Sequence, residues 1–310
     1  DKECSFEQPV PACEDGQTMG CATRTSFFRE ALKRGFELEQ AIGLNPLKVG
    51  VVAATDAHNG NPGDVEEYDY RGTAGAFHSP ANRRLAADPK ETKVYRSNLA
   101  RSPGGITAVW AANNTRDDIF EALKSRRAYG TSGPRIGLTF SASWTEEANQ
   151  SSPTAPPSEQ VLMGATLLSP ARPATTEGAE SSPVFEVSAF ADPLDAPLSI
   201  IQIVKVWFDG NESHERVTDI ACSNNRQIDK ASDRCLEDRP VIDLKTCEYG
   251  ESPGASSLEV RWRDPNYQPD VDAAYYVRVL QNPTCRWSTY DAMRLGRETP
   301  ASLPKTVRER

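Results

Sequence analysis

The chain has 310 residues, of which 38% are hydrophobic and 25% are charged. A polypeptide of this length and composition can bury a sizeable core and is long enough for two domains. Its net charge of −9 and its pI near 5.1 argue against nucleic acid as a partner, because phosphate backbones are bound by clustered Lys and Arg. No apolar run reaches the roughly 20 residues that a membrane-spanning helix needs.

The first predicted elements are a helix and a short buried strand. Apolar residues recur at roughly helical spacing between residues 24 and 42, and Asn45 and Pro46 end this pattern. A run of valine and alanine follows at residues 48–55. Such a run is typical of a strand that is covered on both faces, as in a parallel sheet. We therefore predict an α/β arrangement for residues 1–140.

Asp56 and His58 directly follow the predicted strand. Active sites of α/β sheets lie at the carboxyl ends of the strands, and alternate residues of an extended segment point the same way. Since a carboxylate and an imidazole can then reach one ion, Asp56 and His58 are predicted metal ligands. The structural alternative is that Asp56 caps the next segment and that His58 lies in a surface loop.

Amide and arginine side chains are further candidates for the site. Asn59 and Asn61 begin a long polar connection, which ends near residue 101, and Thr115 is the predicted N-cap of the next helix. Arg127 and Arg135 carry guanidinium groups that match phosphate and carboxylate oxygens. All four candidates are predicted to bind substrate. The structural alternatives are that the asparagines form turns, that Arg127 satisfies the end of a helix, and that Arg135 lies in the turn that enters the second domain.

From residue 135 onward, short β-branched and aromatic runs alternate with Gly, Pro, Asp and Asn clusters. Strands are predicted at residues 136–140, 184–190, 198–208, 257–262 and 274–280. Between residues 201 and 207 one face is apolar while Gln202 lies on the other, as in a half-buried antiparallel sheet. Residues 141–310 are therefore predicted to form an antiparallel β-sandwich, with a flexible insertion at about residues 146–183.

Seven cysteines stand at positions 4, 13, 21, 222, 235, 247 and 285, and no two of them form a Cys-x-x-Cys pair. Their number favours disulfides in an oxidising compartment. We predict bonds between Cys222 and Cys235, which enclose a polar loop, and between Cys247 and Cys285. Two of the first three cysteines are expected to pair, and the odd one is free or bonds to other polypeptide. Reduced, buried thiols are the alternative.

Several blocks of the sequence resemble a known family. Residues 45–60 are similar to the last metal-binding motif of the polymerase-and-histidinol-phosphatase (PHP) superfamily of metal-dependent phosphoesterases. A closer resemblance is to a bacterial family designated domain of unknown function 3604, and it is carried also by residues 29–35, 104–111, 114–124, 129–136, 275–280 and 283–292. The resemblance implies a distorted β/α barrel with clustered divalent metal ions, for which Zn, Mn and Fe are the candidates.

One departure from this family pattern concerns the metal ligands. The PHP cluster also requires a His-x-His pair and further ligands, whereas this chain has only His58, His78 and His214. We therefore expect the chain to be the C-terminal portion of a longer polypeptide, or one of two chains left after processing. Its partner would then be the missing N-terminal half of the barrel. The alternative is a degenerate protein that has lost catalysis.

The predicted fold is thus α/β, the C-terminal part of a distorted PHP-like β/α barrel in residues 1–140, followed by the β-sandwich. Two functions are compatible with it. The first is a secreted or periplasmic metal-dependent hydrolase, in particular a phosphoesterase, which attacks a small-molecule ester with a metal-activated water. The second is a non-catalytic binding or scaffold module that uses the β-sandwich as its interaction surface. No nucleic-acid partner and no membrane span are expected.

Overall fold

The computed structural model describes residues 7, 10, 12–75, 78–86, 98–144, 160–169, 182–236, 242–249 and 254–310. These residues form mainly β-strands, which lie in several small antiparallel sheets. The helices are α1 (Phe28–Ile42), α2 (Ala81–Arg84), α3 (Arg116–Lys124) and α4 (Trp287–Arg294). The strands are β1 (Ile106–Val109), β2 (Ala128–Thr131), β3 (Gly137–Ser143), β4 (Val161–Leu162), β5 (Val184–Phe190), β6 (Leu198–Phe208), β7 (Ser213–Cys222), β8 (Ile228–Asp229), β9 (Arg234–Cys235), β10 (Ile242–Asp243), β11 (Glu248–Tyr249), β12 (Ser257–Arg263), β13 (Ala273–Gln281), β14 (Thr284–Cys285) and β15 (Thr306–Val307).

Two antiparallel sheets form the centre of the structure. One has the strand order β12-β5-β3-β4, and the other has the order β13-β6-β7. Apolar side chains from both sheets meet in a single buried core, which includes Leu138, Val187, Ile201 and Val279. The two sheets therefore pack face to face, and burial of these side chains is the main contribution to the stability of this region.

Strand β6 is the central strand of its sheet and is buried on both faces. All residues from 198 to 206 are buried. The expectation of a solvent-facing side at Gln202 is wrong, because Gln202 is buried and its amide donates to Asp219 Oδ1 at 2.7 Å. Lys205 is also buried, with its Nζ 2.6 Å from Asp264 Oδ2. The polar positions of this strand therefore make internal contacts, as buried polar groups generally do.

Helix α1 lies against β6 and β7. Arg29 and Lys33 both bind Glu215 of β7, at 2.8 and 2.6 Å. The helix ends at Gly43, whose φ of 73° lies in the left-handed region and whose amide donates to Glu39 O at 2.8 Å. The helix predicted between residues 24 and 42 is thus confirmed, although its first residues form a separate 3₁₀ turn.

The second predicted helix is confirmed as α3, which lies between the paired strands β1 and β2 in the chain. Thr115 is its N-cap, and the Thr115 Oγ1 accepts a hydrogen bond from Asp118 N at 3.2 Å. This bond satisfies one of the amide groups that a helix leaves free at its first turn.

A second buried cluster joins α4 to the long connection between α1 and β1. Trp287 is 1% exposed, and its ring centroid lies 5.2 Å from that of Tyr70. Arg84 of α2 forms a doubly hydrogen-bonded pair with Asp291 of α4, at 2.7 and 2.8 Å, and both side chains are buried. The connection is therefore held in place by residues near the other end of the chain.

The described residues contain three disulfides, Cys13–Cys21, Cys222–Cys235 and Cys247–Cys285. The second and third are the pairs expected from the sequence, and the first lies within the N-terminal group of three. Cys4 is outside the described residues. Within the described residues, no helix is both long enough and apolar enough to cross a bilayer.

The prediction of a β/α barrel is wrong. The described residues contain no closed barrel, and every sheet is antiparallel. Residues 48–55 form no strand, and Val49, Val51 and Val52 are 45%, 38% and 70% exposed. A buried strand needs backbone partners at its edges, whereas residue 53 is held to β1 through the Thr107 side chain.

The five strands predicted in the second half correspond to β3, β5, β6, β12 and β13. The predicted insertion at residues 146–183 falls largely outside the described residues. Within its described part, residues 161 and 162 form β4 and pair with β3. This part of the insertion is therefore integrated in the sheet.

Candidate functional site

The segment that carries Asp56 and His58 is held against β1 by a threonine hydroxyl. Thr107 Oγ1 accepts a hydrogen bond from Ala53 N at 2.9 Å and donates one to Ala53 O at 2.8 Å. Gly105 N donates to Ala54 O at 3.1 Å. These three bonds fix the backbone immediately before Asp56.

Two glycines permit this close approach. A Cβ on Gly104 would lie 2.7 Å from Ala54 O, and a Cβ on Gly105 would lie 2.2 Å from Thr131 O. Both contacts are with backbone atoms, which cannot move aside as a flexible side chain can. Gly104 also has a φ of 87°, which a residue with a side chain rarely adopts. Gly104 is therefore required by packing against residues 54 and 55, and Gly105 is required by packing against Thr131 of β2 and Ala53.

Asp56 and His58 point into solvent and contact each other. Their side chains are 88% and 71% exposed, and Asp56 Oδ1 lies 3.2 Å from His58 Nε2. Asp56 has a φ of 50°, which is in the left-handed region and costs a non-glycine residue of order 1–3 kcal/mol. His58 N donates to Thr73 O at 2.7 Å, which fixes the backbone on the other side. The loop thus holds Asp56 in a strained conformation beside His58.

The separation of these two side chains suits a shared metal ion. Two ligands that each lie about 2.1 Å from an ion are about 3.0 Å apart in octahedral and about 3.4 Å apart in tetrahedral geometry. The observed 3.2 Å lies between these values. Across the described residues, the one set of three close potential ligands lies elsewhere. Asp56 and His58 therefore fit two positions of a shell that needs at least three protein ligands.

Asn59 and Asn61 make contacts within their own loop. Asn59 Nδ2 donates to Gly72 O at 2.8 Å, and Asn59 Oδ1 accepts from Asn61 N at 3.0 Å. Asn61 Nδ2 donates to Asp64 Oδ2 at 2.7 Å. Contacts of this kind stabilise turns, so they agree with the turn-forming alternative. Substrate binding by the two amides stays a prediction.

Arg127 and Arg135 lie in different environments. The Nε of Arg127 is buried and has no hydrogen-bond partner in the described part of the chain. Arg135 is exposed, and its Nη1 lies 3.1 Å from Glu66 Oε1, a hydrogen bond that raises the pKa of Arg135. Among the described contacts, neither arginine bonds to Asp56 or His58. No side-chain hydrogen bond or ion pair among the described contacts links the four substrate candidates to Asp56 or His58, and their role in substrate binding stays a prediction.

A set of possible ligands that sequence reasoning missed lies in the turn between β6 and β7. Asp209, Glu212 and His214 place one ligand atom each within 4.8 Å of one another. The Glu212 amide, followed by His214 and the Asn211 amide, lowers the pKa of Asp209 to about 2. The same bonds close the hairpin turn. An Asp-Gly dipeptide between two β-patterns is a hairpin signal, and it was available in the sequence at residues 209 and 210.

A groove of about 1400 Å³ runs between α1, residues 47–54 and the two sheets. Most of its lining is apolar or aromatic, including Phe28, Phe36, Tyr129 and Tyr276. The groove wall also contains the exposed side chains of Val49 and Val51. Asp56 and His58 are not part of this lining. The part of the groove lining contributed by this segment therefore ends at residue 54, two residues before Asp56.

Comparison with known proteins gives one match. The family described as "Protein of unknown function (DUF3604)" matches residues 1–310. No curated protein and no solved structure matches the chain. Because the family match extends over the whole sequence, the chain belongs to the DUF3604 family.

Proposed function

We propose that this chain contributes Asp56 and His58 to the metal site of a divalent-metal-dependent hydrolase, in particular a phosphoesterase that acts on a small-molecule ester. The observation that carries the proposal is the pairing of a carboxylate oxygen and an imidazole nitrogen at 3.2 Å on a strained, anchored loop. Backbone strain held in place by surrounding contacts is concentrated at functional sites.

The donor set indicates the metals that the site would accept. Carboxylate and imidazole ligands suit Zn, Mn and Fe ions. Such an ion, when bound, lowers the pKa of coordinated water and stabilises negative charge on a phosphoryl oxygen. In this proposal Asp56 and His58 hold the ion, while Thr107 and the neighbouring glycines hold the backbone that presents them. The remaining ligands come, in this proposal, from other polypeptide, since the described part of the chain offers no third ligand beside the pair.

The substrate contacts and the location of the protein are part of the same proposal. Arg127 and Arg135 are the candidate groups for substrate oxygens, and Asn59 and Asn61 are candidates for the rim of the site. The relationship to the PHP superfamily likewise rests on the motif at residues 45–60. Three disulfides support a secreted or periplasmic location, since oxidising compartments are where structural disulfides persist.

The test is His58→Ala in the natural gene product, with bound Zn, Mn and Fe measured by elemental analysis and turnover measured with p-nitrophenyl phosphate. We expect metal occupancy and turnover to fall at least about tenfold, because one of a few ligands is removed. The melting temperature measured in excess chelator should change little, since the side chain is 71% exposed. Asp56→Asn should behave in the same way.

His214→Ala is the matched control, because His214 also pairs with an aspartate at the surface, 2.7 Å from Asp209. It should leave metal content and turnover unchanged. Full metal occupancy and normal turnover in His58→Ala would contradict the proposal. Loss of metal in His214→Ala alone would place the ion at the β6–β7 turn instead.

The second candidate function is a non-catalytic binding module, and the groove is the observation that favours it. An apolar, aromatic-lined concavity of about 1400 Å³ is of the kind that binds ligands or partner chains. Two results together would favour this function over the hydrolase. The wild-type protein would contain no stoichiometric metal, and His58→Ala would have the same metal content and turnover as the wild type.

A further inference from the structure

Two glutamates from distant parts of the chain lie together in the interior. Glu67 is 8% exposed and Glu309 is 5% exposed, and each carboxyl group lies close enough to the other to shift its pKa. Two carboxyl groups that lie close together in a buried site favour a state in which at least one of them carries a proton. Glu67 also accepts a hydrogen bond from Trp287 N at 2.5 Å, and Glu309 accepts one from the Ser132 hydroxyl.

Glu309 belongs to the segment of residues 306–310, which is docked mainly by backbone contacts. Ser132 N donates to Arg310 O at 2.7 Å, and Arg310 N donates to Ser132 Oγ at 2.9 Å. Gln281 N donates to Glu309 O at 3.1 Å. Within this segment, Glu309 has a carboxyl side chain that is buried against another carboxyl group.

Other charged groups near the pair only partly compensate it. Glu7 and Asp195 add negative charge, and Glu7 is itself engaged by Arg286 at 2.9 Å. Burial, followed by the charges of Glu309 and Glu7, raises the pKa of Glu67 well above its ordinary value. The pKa of Glu309 is raised to about 8, and burial is the largest cause. The titratable and charged groups that face the pair are Glu7, Tyr70, Asp195, Arg286, Tyr290 and, through Glu7, Arg310.

We propose that residues 306–310 form a pH-dependent latch, which is docked while Glu67 and Glu309 hold protons and is released when both side chains are ionised. Ionisation of both would leave two carboxylates in contact in a buried site, and Arg286 is already occupied by Glu7. Two adjacent carboxylates in a poorly solvated site strongly disfavour joint ionisation. Undocking the segment brings Glu309 into water and removes the conflict.

The direction of the effect follows from proton linkage. The docked state binds more protons than the released state between the ordinary pKa of 4.5 and the raised value of about 8. Docking is therefore strongest at low pH and weakens as the pH rises through this interval, by about tenfold in the opening equilibrium for each pH unit and each linked proton. Once the pH exceeds the raised pKa values, the effect levels off.

Hydrogen exchange of the full chain tests the latch. The amides of Ser132, Gln281 and Arg310 report docking, because each bonds to or from the segment. After correction for intrinsic exchange rates, their protection factors should fall by about tenfold between pH 6 and pH 7 and less steeply as the pH approaches 8. In Glu309→Gln, which keeps the shape but cannot ionise, the protection factors should lose most of this dependence.

Glu298→Gln is the matched control, because Glu298 is exposed and lies near the same end of the chain. It should retain the pH dependence of the wild type. The latch is overturned if wild-type protection is constant from pH 6 to pH 9, or if Glu309→Gln keeps the wild-type slope. Should Glu309→Gln fail to fold, carbon NMR titration of the wild type decides, and a Glu309 midpoint near the ordinary 4.5 would reject the proposal.

Discussion

Removing the carboxylate of Asp264 should destabilise the protein strongly, because this carboxylate balances the charge of the buried Lys205. Lys205 and Asp264 have side-chain exposures of 7% and 2%, and Lys205 Nζ lies 2.6 Å from Asp264 Oδ2. The same oxygen accepts a hydrogen bond from Tyr275 Oη at 2.8 Å. Burial, together with Asp264, raises the pKa of Tyr275, so the hydroxyl stays protonated and donates.

The expected magnitude comes from the cost of an unpaired buried charge. Asp264→Asn leaves the Lys205 ammonium with neutral partners only, and breaking a buried pair in this way costs about 3–5 kcal/mol. Lys205→Met should cost a similar amount, because it leaves the Asp264 carboxylate buried. The double variant removes both charges, so its loss should be clearly smaller than the sum of the two single losses.

Urea denaturation followed by tryptophan fluorescence measures these free energies of unfolding. Glu121→Gln is the control, since Glu121 and Lys124 form an ion pair in which both side chains are more than half exposed. It should change the free energy of unfolding by less than about 0.5 kcal/mol. A loss below about 1 kcal/mol for Asp264→Asn, or strict additivity in the double variant, would refute this reasoning.

Two further predictions concern the support of the candidate site and the disulfides. Gly105→Ala places a new Cβ 2.2 Å from the Thr131 carbonyl oxygen and 3.0 Å from Ala53 Cβ. Because Gly105 N also bonds to Ala54 O, a shift of Gly105 should disturb the loop before Asp56, and we expect faster hydrogen exchange at residues 53–55 and a lower melting temperature. Unchanged exchange would argue against the packing role of this glycine. The double variant Cys247→Ala/Cys285→Ala should lose about 4 kcal/mol of unfolding free energy, because the disulfide closes a loop with a sequence separation of 38. Calorimetry measures this loss, and a value below about 1 kcal/mol would contradict the prediction.

Local patterns predicted much of the β-structure and both longer helices. The alternation and β-branched runs after residue 135 correspond to β3, β5, β6, β12 and β13, because these residues pack in the way that their local pattern requires. Thr115 was identified as an N-cap for the same reason, since capping depends on the residue itself and its next three neighbours.

Tertiary contacts explain what the sequence did not predict. Residues 48–55 have the composition of a buried strand, but a strand also needs edge partners, and composition does not provide them. Helix α4 was not predicted, because its buried residues include the polar Ser288, Thr289 and Asp291 beside Trp287, so burial does not follow the polarity of the sequence. Glu67 and Glu309 are ordinary charged residues in the sequence, and only the folded chain brings them together.

The packing of Trp287 against the connection near Tyr70 sets an order of events during synthesis. The hydrogen bond between Glu67 and Trp287 spans 220 residues of sequence. At about 5–20 residues per second, a ribosome needs about 10–45 s to add that length of chain. During this interval the connection has no core to join, and its apolar side chains are accessible to chaperones and proteases. Completion of this region in the cell is therefore coupled to the arrival of α4, and slowing translation between residues 70 and 287 would prolong the vulnerable period.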